Sequence, residues 1–381
     1  VDNRAKDALL AEIEALAGAS DAIPIAPSRL QRALPTLSGV EIEGVADGRA
    51  SVERTRAFVK VQDGCSFFCT YCIIPAARGP ERSLAPDTVL ADIGRALAAG
   101  HREIVLTGIN IGTYDGGWSE RGFRGAHTRS ALTLAGLVRR ILDETAVERL
   151  RISSIEPQHL DDELLGVWAD GAPRTLPQLH LPLQSGDDGV LRRMGRRYVA
   201  SDYAAIVARA RDAVPGVAMH ADAIVGFPSE DEAAWMRSLD MIRSLDLAGL
   251  HVFRYSARPG TAATRMAGQV DEPTKKRRAA ELLAVAAQAR ARWVAAQVGR
   301  ETDVLFETRL ADGRWTGRAA DYTLVAASAR APEPAGIRDA FLENAIARVR
   351  VDAVDPAQAD RAVGTLLAVS MPPAEGAVDV A

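Results

Sequence analysis

Residues 57–72 read AFVKVQDGCSFFCTYC and join a short hydrophobic segment to a cluster of three cysteines. The segment 57–61 is short and rich in valine, which predicts a β-strand. Cys65, Cys69 and Cys72 follow within eight residues, so the thiols come directly after the strand ends. Strand and helix patterns alternate downstream of this segment, and this order predicts a parallel α/β architecture.

Six strand–helix units make up the alternation. The predicted strands are 57–61, 103–107, 149–154, 179–183, 218–225 and 248–254. The predicted helices are 86–99, 132–143, 161–170, 187–194, 201–213 and 230–244. This order predicts a partial (β/α)6 barrel of the TIM type, with its chemistry at the carboxyl ends of the strands. A polar, glycine-rich loop at 115–131 is expected on that same face.

The pattern changes beyond the barrel. A long helix is predicted at 273–298, and short strands at 304–308, 315–319, 322–328 and 343–352 follow it. Asp312-Gly313 between the first two of these strands is a strong hairpin signal. We therefore predict four parts. They are 1–50 (the end of a preceding domain with an amphipathic helix at 1–18, plus a linker), 51–298 (barrel and connecting helix), 299–371 (a small all-β barrel) and 372–381 (a disordered tail).

Composition narrows the class of protein. Hydrophobic residues make up 48% and charged residues 25% of the chain, which is ordinary for a globular protein. No run of eighteen apolar residues predicts a membrane span, and no signal peptide is evident. Three cysteines do not suit a disulfide framework, so we expect a cytoplasmic protein. The net charge of −4 means that any nucleic-acid contact must use local patches.

Three soft thiolates in eight residues can converge on one soft metal centre. Structural zinc normally takes four ligands, and a fourth cysteine is absent from the sequence. A [4Fe–4S] cluster held by three cysteines keeps one iron open for another ligand. The alternatives from the residues alone are buried thiols or a zinc knuckle.

The spacing Cys65-x3-Cys69-x2-Cys72, with Tyr71 before the last cysteine, resembles the signature of the radical S-adenosylmethionine superfamily. The resemblance implies that Cys65, Cys69 and Cys72 are the catalytic metal ligands. In that family the open iron binds S-adenosylmethionine, whose cleavage releases a 5′-deoxyadenosyl radical. The resemblance also implies an electron donor of the flavodoxin or ferredoxin type.

Further segments resemble the methylthiotransferases of this superfamily, and they span nearly the whole chain. Each segment falls at a predicted strand end: 107–110 (TGIN), 151–157 (RISSIEP), 180–186 (HLPLQSG), 222–228 (DAIVGFP) and 251–260. The resemblance implies that residues in these blocks contact S-adenosylmethionine. The predicted cofactor-binding residues are Tyr71, Gly108, Asn110, Ser153, Ser154, Glu156, Gln184, Gly226 and Phe227.

The segment Ser153-Ser-Ile-Glu-Pro157 resembles the corresponding segment of the enzymes that add a methylthio group to threonylcarbamoyladenosine beside the tRNA anticodon. Sister groups act on isopentenyladenosine in tRNA or on an aspartate of a ribosomal protein, and these remain alternatives. A non-catalytic RNA-binding protein with a structural metal is a further alternative. Iron, sulfide and zinc analysis distinguishes this last class from an enzyme.

Two basic segments are candidates for RNA contact. Residues 274–300 carry seven basic residues and one acidic residue, and Lys275, Lys276, Arg277 and Arg278 form a block there. A second block (Arg192, Arg193, Arg196 and Arg197) lies near the predicted mouth. Both could neutralise phosphates, or both could be ordinary solvated surface. The terminal β-module resembles the TRAM domain, an RNA-binding barrel attached to this family, although its own charge is not basic.

Three histidines, His180, His220 and His251, lie within predicted strands. We interpret them as hydrogen-bonded barrel side chains rather than as metal ligands. The family carries an N-terminal domain with three more cysteines for a second [4Fe–4S] cluster, usually assigned to sulfur donation. Residues 1–18 resemble only the end of that domain, so we expect the sequence to be truncated and the second cluster to occur only in the full-length protein.

Overall fold

The computed structural model describes residues 55–116, 132–328 and 342–370. The segments predicted at 1–50 and 372–381, and most of the predicted loop at 115–131, lie outside the described residues. The strands of the first part are β1 (Arg56–Lys60), β2 (Gln62–Asp63), β3 (Arg82–Ser83), β4 (Glu103–Thr107), β5 (Arg149–Ile152), β6 (Gln178–His180), β7 (Ala218–Val225) and β8 (Gly249–Arg254). The helices are α1 (Ile74–Arg78), α2 (Pro86–Ala98), α3 (Leu134–Glu144), α4 (Asp162–Asp170), α5 (Asp188–Met194), α6 (Ala200–Ala213), α7 (Glu232–Ser244) and α8 (Glu272–Ala296).

Six parallel strands form the predicted partial barrel. They pair in the order β1-β4-β5 and in the order β6-β7-β8. Parallel bridges from Leu150 to Thr175 and from Ser154 to His180 connect the two groups. The strand order therefore follows the chain order, and the predicted (β/α)6 class is confirmed.

The helices cover the sheet because their apolar residues recur on one face. In α3, Leu134, Leu137, Val138 and Ile141 have helical spacing and are all buried. The Thr133 hydroxyl accepts a hydrogen bond from the Gly136 N–H at 3.0 Å and caps the first turn. Among the described helices, none has both the length and the apolar composition that crossing a membrane requires.

A closed five-stranded barrel follows α8. Its strands are β9 (Glu301–Arg309), β10 (Trp315–Ala319), β11 (Leu324–Ala327), β12 (Ile346–Val354) and β13 (Arg361–Ser370), paired in the order β10-β11-β13-β12-β9. The predicted hairpin at Asp312-Gly313 joins β9 to β10. The sequence pattern did not predict β13, which closes the barrel. Gly317 is required in β10, since a Cβ there would lie 2.1 Å from the Leu305 carbonyl oxygen.

The small barrel covers the amino end of the large one. The buried carboxylate of Glu103, at the start of β4, accepts hydrogen bonds from Arg149 at 2.8 Å and from Arg151 at 2.9 Å. Arg149 also donates to the carbonyl oxygens of Asp303 and Arg318, at 3.1 and 3.2 Å. The amino end is thus closed by ionic contacts, while the carboxyl end, where the cysteines lie, is left for the site.

We expect Glu103→Gln to lower the free energy of unfolding by about 3 kcal/mol, because it leaves two buried guanidinium groups without a counter-charge. Burial alone would raise the pKa of Glu103, but Arg151 and Arg149 outweigh it and lower the pKa to about 2. This contribution is therefore complete above about pH 4.5 and is lost as the pH falls toward 2. Urea denaturation at several pH values measures both effects.

The matched control is Glu148→Gln. Glu148 also pairs with an arginine, Arg102, but its side chain is 48% exposed. A loss below about 1 kcal/mol is expected at this half-exposed pair. Equal losses in the two variants would contradict the role assigned to Glu103.

Candidate iron–sulfur and cofactor site

The cysteine loop begins at a strained turn. Gly64 has a φ of +73°, and a Cβ at this position would lie 2.0 Å from the Pro80 carbonyl oxygen. Only glycine fits this close approach without displacing the backbone. The Cys65 N–H then donates to the Gly79 carbonyl at 3.1 Å, which fixes the first cysteine against the end of α1.

The middle of the loop is held by two other elements. Thr70 donates from its N–H to the Met194 carbonyl at 2.9 Å, at the end of α5. Its hydroxyl donates to the Arg193 carbonyl at 2.8 Å. The Ala263 N–H in turn donates to the Thr70 carbonyl at 2.9 Å. The backbone between the cysteines is therefore fixed before any metal binds.

The three cysteines carry free thiols and are half-buried. Burial raises the pKa of Cys65 to about 11, and the neighbouring thiols contribute in the same direction. Burial likewise raises the pKa of Cys72. Cys65 and Cys72 are therefore protonated at neutral pH when free, so a metal centre must displace their protons to bind.

The spacing of the sulfur atoms tests which centre they fit. Sulfur ligands of a single zinc ion, with bonds of about 2.3 Å, lie about 3.8 Å apart. Among the described residues, three ligand atoms within 4.8 Å of one another occur at His180, Asp222 and His251, and the three thiols form no such group. At least one pair of sulfurs is therefore farther apart than a single zinc ion allows, whereas a [4Fe–4S] cluster spreads its thiolates more widely and, with three cysteines, keeps one iron open.

Two donors lie beside the sulfur atoms. The Asn110 side-chain nitrogen lies 3.9 Å from the Cys65 sulfur, and the Arg196 guanidinium lies 3.6 Å from the Cys69 sulfur. The Arg196 side chain is buried and also forms an ion pair with Glu156. Hydrogen bonds and positive charge near the sulfurs stabilise the reduced state of a cluster.

Arg196 corrects one sequence prediction. The sequence predicts it as part of a basic block for phosphate contact, but its guanidinium contacts Cys69 and Glu156, away from solvent. Its neighbour Arg197 stacks on the Phe67 ring at 4.3 Å, within the cysteine loop. Sequence reasoning therefore missed Arg196 as a site residue. In the sequence, the feature that could have indicated this role is its position directly after Gly195, the glycine that ends α5.

Several predicted cofactor-binding residues lie at the carboxyl ends of neighbouring strands. The Asn110 side-chain oxygen and the Ser153 hydroxyl are buried without a hydrogen-bond partner, after β4 and β5. Such orphaned atoms are costly unless a ligand pairs with them. They fit the amino, carboxyl or hydroxyl groups of S-adenosylmethionine. Glu156 is engaged by Arg196, Ser154 is exposed, and Gln184 has a φ of +69° at the turn after β6.

The other predicted cofactor residues have packing roles in the structure. A Cβ at Gly226 would lie 2.3 Å from the Lys275 side chain, and one at Gly108 would lie 3.0 Å from Gln62. Phe227 is fully buried, and Tyr71 packs against it with ring centroids 6.2 Å apart. The Phe227 ring is enclosed by the core, and its contact with a cofactor stays a prediction.

The fold and the cysteine loop define a class of protein. Residues 59–242 match the family model of the Radical SAM superfamily. This range begins in β1 and ends in α7, so it contains the cysteine loop and the barrel strands through β7. The superfamily implies a [4Fe–4S] cluster and S-adenosylmethionine as cofactors, and the thiols and orphaned polar atoms described above fit both.

Curated relatives define the family more closely. The threonylcarbamoyladenosine tRNA methylthiotransferase MtaB of Bacillus subtilis (strain 168) is 41% identical over 242 residues, 64% of this chain and 51% of that protein. The tRNA-2-methylthio-N(6)-dimethylallyladenosine synthase of Maricaulis maris (strain MCS10) is 38% identical over 256 residues, 67% of this chain and 55% of that protein. Over these ranges the chain is similar to radical S-adenosylmethionine methylthiotransferases. It spans about half the length of the curated relatives it matches.

Replacing Cys65, Cys69 or Cys72 singly with alanine should abolish cluster binding, since two thiolates cannot hold the centre. Anaerobic reconstitution of the unmodified chain should give about four irons and four sulfides per chain. Ser66→Ala is the matched control within the same loop and should retain full iron. One zinc per chain, or full iron in a cysteine variant, would contradict the assignment.

Replacing Arg196 with methionine should make the reduction potential of the cluster more negative. The change removes a positive charge and a donor beside Cys69, which favour the more negative reduced state. Each 1.4 kcal/mol of lost stabilisation corresponds to about 60 mV for a one-electron couple. A redox titration followed by electron paramagnetic resonance measures the shift. Arg197→Met, which removes a charge from the neighbouring position, should change the potential much less, and equal shifts would rule out a specific role of Arg196.

Proposed function

We propose that this protein is a radical S-adenosylmethionine methylthiotransferase that modifies an adenosine of tRNA. The observation that carries the proposal is the loop Cys65–Cys72, fixed at the mouth of the barrel with a donor beside two of its sulfurs. When bound there, a [4Fe–4S] cluster supplies the electron that splits S-adenosylmethionine into methionine and a 5′-deoxyadenosyl radical. The protein would act in the cytoplasm with a flavodoxin- or ferredoxin-type electron donor.

The residues of this chain would then have separate tasks. Cys65, Cys69 and Cys72 would hold the cluster, and Arg196 would balance its negative charge. Asn110 and Ser153 would orient S-adenosylmethionine with their unpaired polar atoms. The buried barrel would keep water away from the radical, so that it reacts with the substrate alone.

The substrate we propose is threonylcarbamoyladenosine next to the anticodon. The segment Ser153–Pro157 supports this choice, and so does the similarity to the Bacillus subtilis protein, whose name carries that substrate. The similarity to the dimethylallyladenosine synthase makes isopentenyladenosine the main competing substrate. An aspartate of a ribosomal protein is the remaining alternative.

Two of the four residues predicted to contact RNA are buried. Lys275 and Arg278 are buried, and they pair with Glu272 and Glu230 respectively. Both are therefore unavailable to phosphates, which corrects the prediction for these two residues. Arg277 is exposed but pairs with Glu232, and Lys276 is exposed. Contact of these last two residues with RNA, and the RNA-binding role of the TRAM-like barrel, stay predictions.

The decisive experiment has two readouts. The reconstituted chain with S-adenosylmethionine and a chemical reductant should form 5′-deoxyadenosine, because on this proposal the described residues hold the cluster and orient the cofactor. No product from the chain with a verified cluster would overturn the radical assignment. Cys69→Ala should form none, and Ser66→Ala should match the unmodified chain.

The second readout identifies the substrate. The full-length protein should be expressed in cells that lack their own methylthiotransferases, and digested tRNA and ribosomal proteins should be analysed by mass spectrometry. A mass increase of one methylthio group on threonylcarbamoyladenosine supports the proposal. The same increase on isopentenyladenosine or on a ribosomal aspartate would replace the proposed substrate and leave the radical chemistry in place.

A further inference from the structure

Three polar side chains from three neighbouring strands meet inside the partial barrel. His180 ends β6, Asp222 lies in β7, and His251 is the direct partner of Asp222 on β8. His180 pairs with His220, two residues before Asp222, so all three side chains emerge on one face of the sheet. The cysteine loop follows β1 and so belongs to a different part of the barrel.

The distances within this trio suit a single metal ion. The Asp222 Oδ1 atom lies 2.9 Å from His180 Nε2 and 3.0 Å from His251 Nδ1. All three ligand atoms lie within 4.8 Å of one another. Ligands bound at about 2.1 Å lie about 3.4 Å apart around a tetrahedral ion, but at the right angles of a five- or six-coordinate ion they lie about 3.0 Å apart. Both measured contacts have this length.

The contact of His180 with Asp222 is close but poorly aligned for a hydrogen bond. It is short, yet its angle is poor, and His180 Nε2 counts as a buried nitrogen without a hydrogen-bond partner. A metal ion bound to both atoms would give the nitrogen and the carboxylate oxygen a shared partner. The sequence interpretation takes His180 as a hydrogen-bonded barrel side chain, but in the structure the contact of its Nε2 with Asp222 is poorly aligned.

The trio is accessible from one side. The His251 side chain is 62% exposed, while those of His180 and Asp222 are 16% and 18% exposed. An ion can therefore enter past His251 and keep coordination positions that the protein does not fill. Phe253, on the same face of β8, is exposed and contacts the His251 ring edge-on at 6.5 Å. It gives the open side of the trio an apolar wall.

We propose that His180, Asp222 and His251 form a second metal site, which binds one divalent first-row transition ion such as zinc or iron(II). Two imidazoles and one carboxylate are the donor set of zinc and non-haem iron sites that keep open positions. The open positions face the barrel interior and would take an oxygen or nitrogen ligand from a molecule that enters it. This site is separate from the cluster, so it can be tested without the radical reaction.

Cobalt(II) is the probe, because a tetrahedral or five-coordinate ion has visible absorption and reports its ligands. The cluster should be reconstituted first, so that the cysteines are occupied, and cobalt(II) then titrated anaerobically. The unmodified chain should retain about one cobalt per chain after dialysis. His251→Ala and Asp222→Asn should weaken binding by about 100-fold or more, because each removes a direct ligand.

His101→Ala is the control for loss of a histidine outside the trio, and it should bind cobalt as the unmodified chain does. Circular dichroism and iron content should be unchanged in His251→Ala, whose exposed side chain makes it the variant least able to disturb folding. Zinc should displace cobalt stoichiometrically. No retained cobalt in the unmodified chain, or equal binding in the unmodified chain and His251→Ala, would overturn the proposal.

Discussion

The structure depends on one buried carboxylate. Glu103 carries no exposed surface and binds Arg149 and Arg151, and these two arginines also bind backbone carbonyls of the terminal barrel. Charges of this kind are tolerated in a core only when every member has a partner. The pairing of β4 with β5 and the docking of the terminal barrel are thus fixed by the same group. Since Tyr322 lies under Arg151 at 4.8 Å, an aromatic ring completes this polar layer.

This arrangement divides the large barrel into two ends with different tasks. The amino end is filled by ion pairs that belong to the fold, and His220, buried there, has its pKa lowered to about 3 by burial and by Arg290. The carboxyl end has half-buried thiols and polar atoms without partners. The residues that stabilise the fold therefore lie at the amino ends of the strands, and the candidate site lies at their carboxyl ends, as is usual in such barrels.

The two candidate metal sites differ in what positions their ligands. The cysteine loop is fixed by backbone hydrogen bonds to α1, α5 and the segment around Ala263, so its shape does not depend on the metal. The trio of His180, Asp222 and His251 is positioned by strand register alone, because adjacent parallel strands bring equivalent positions side by side. One site is thus built from a local motif, and the other from residues far apart in the sequence.

The sequence by itself determined the strand and helix order, the six-stranded parallel class and the cysteine motif, because each depends on local periodicity or spacing. It also placed Asn110 and Ser153 at strand ends. Tertiary structure alone decided which charges are buried: it placed the Arg196 side chain beside Cys69, and it buried Lys275 and Arg278, which the sequence predicts as RNA contacts. It also decided the closure by β13 and the meeting of His180 with His251. These features depend on which partners meet across the fold, and hydrophobic periodicity does not encode the partner of a charged side chain.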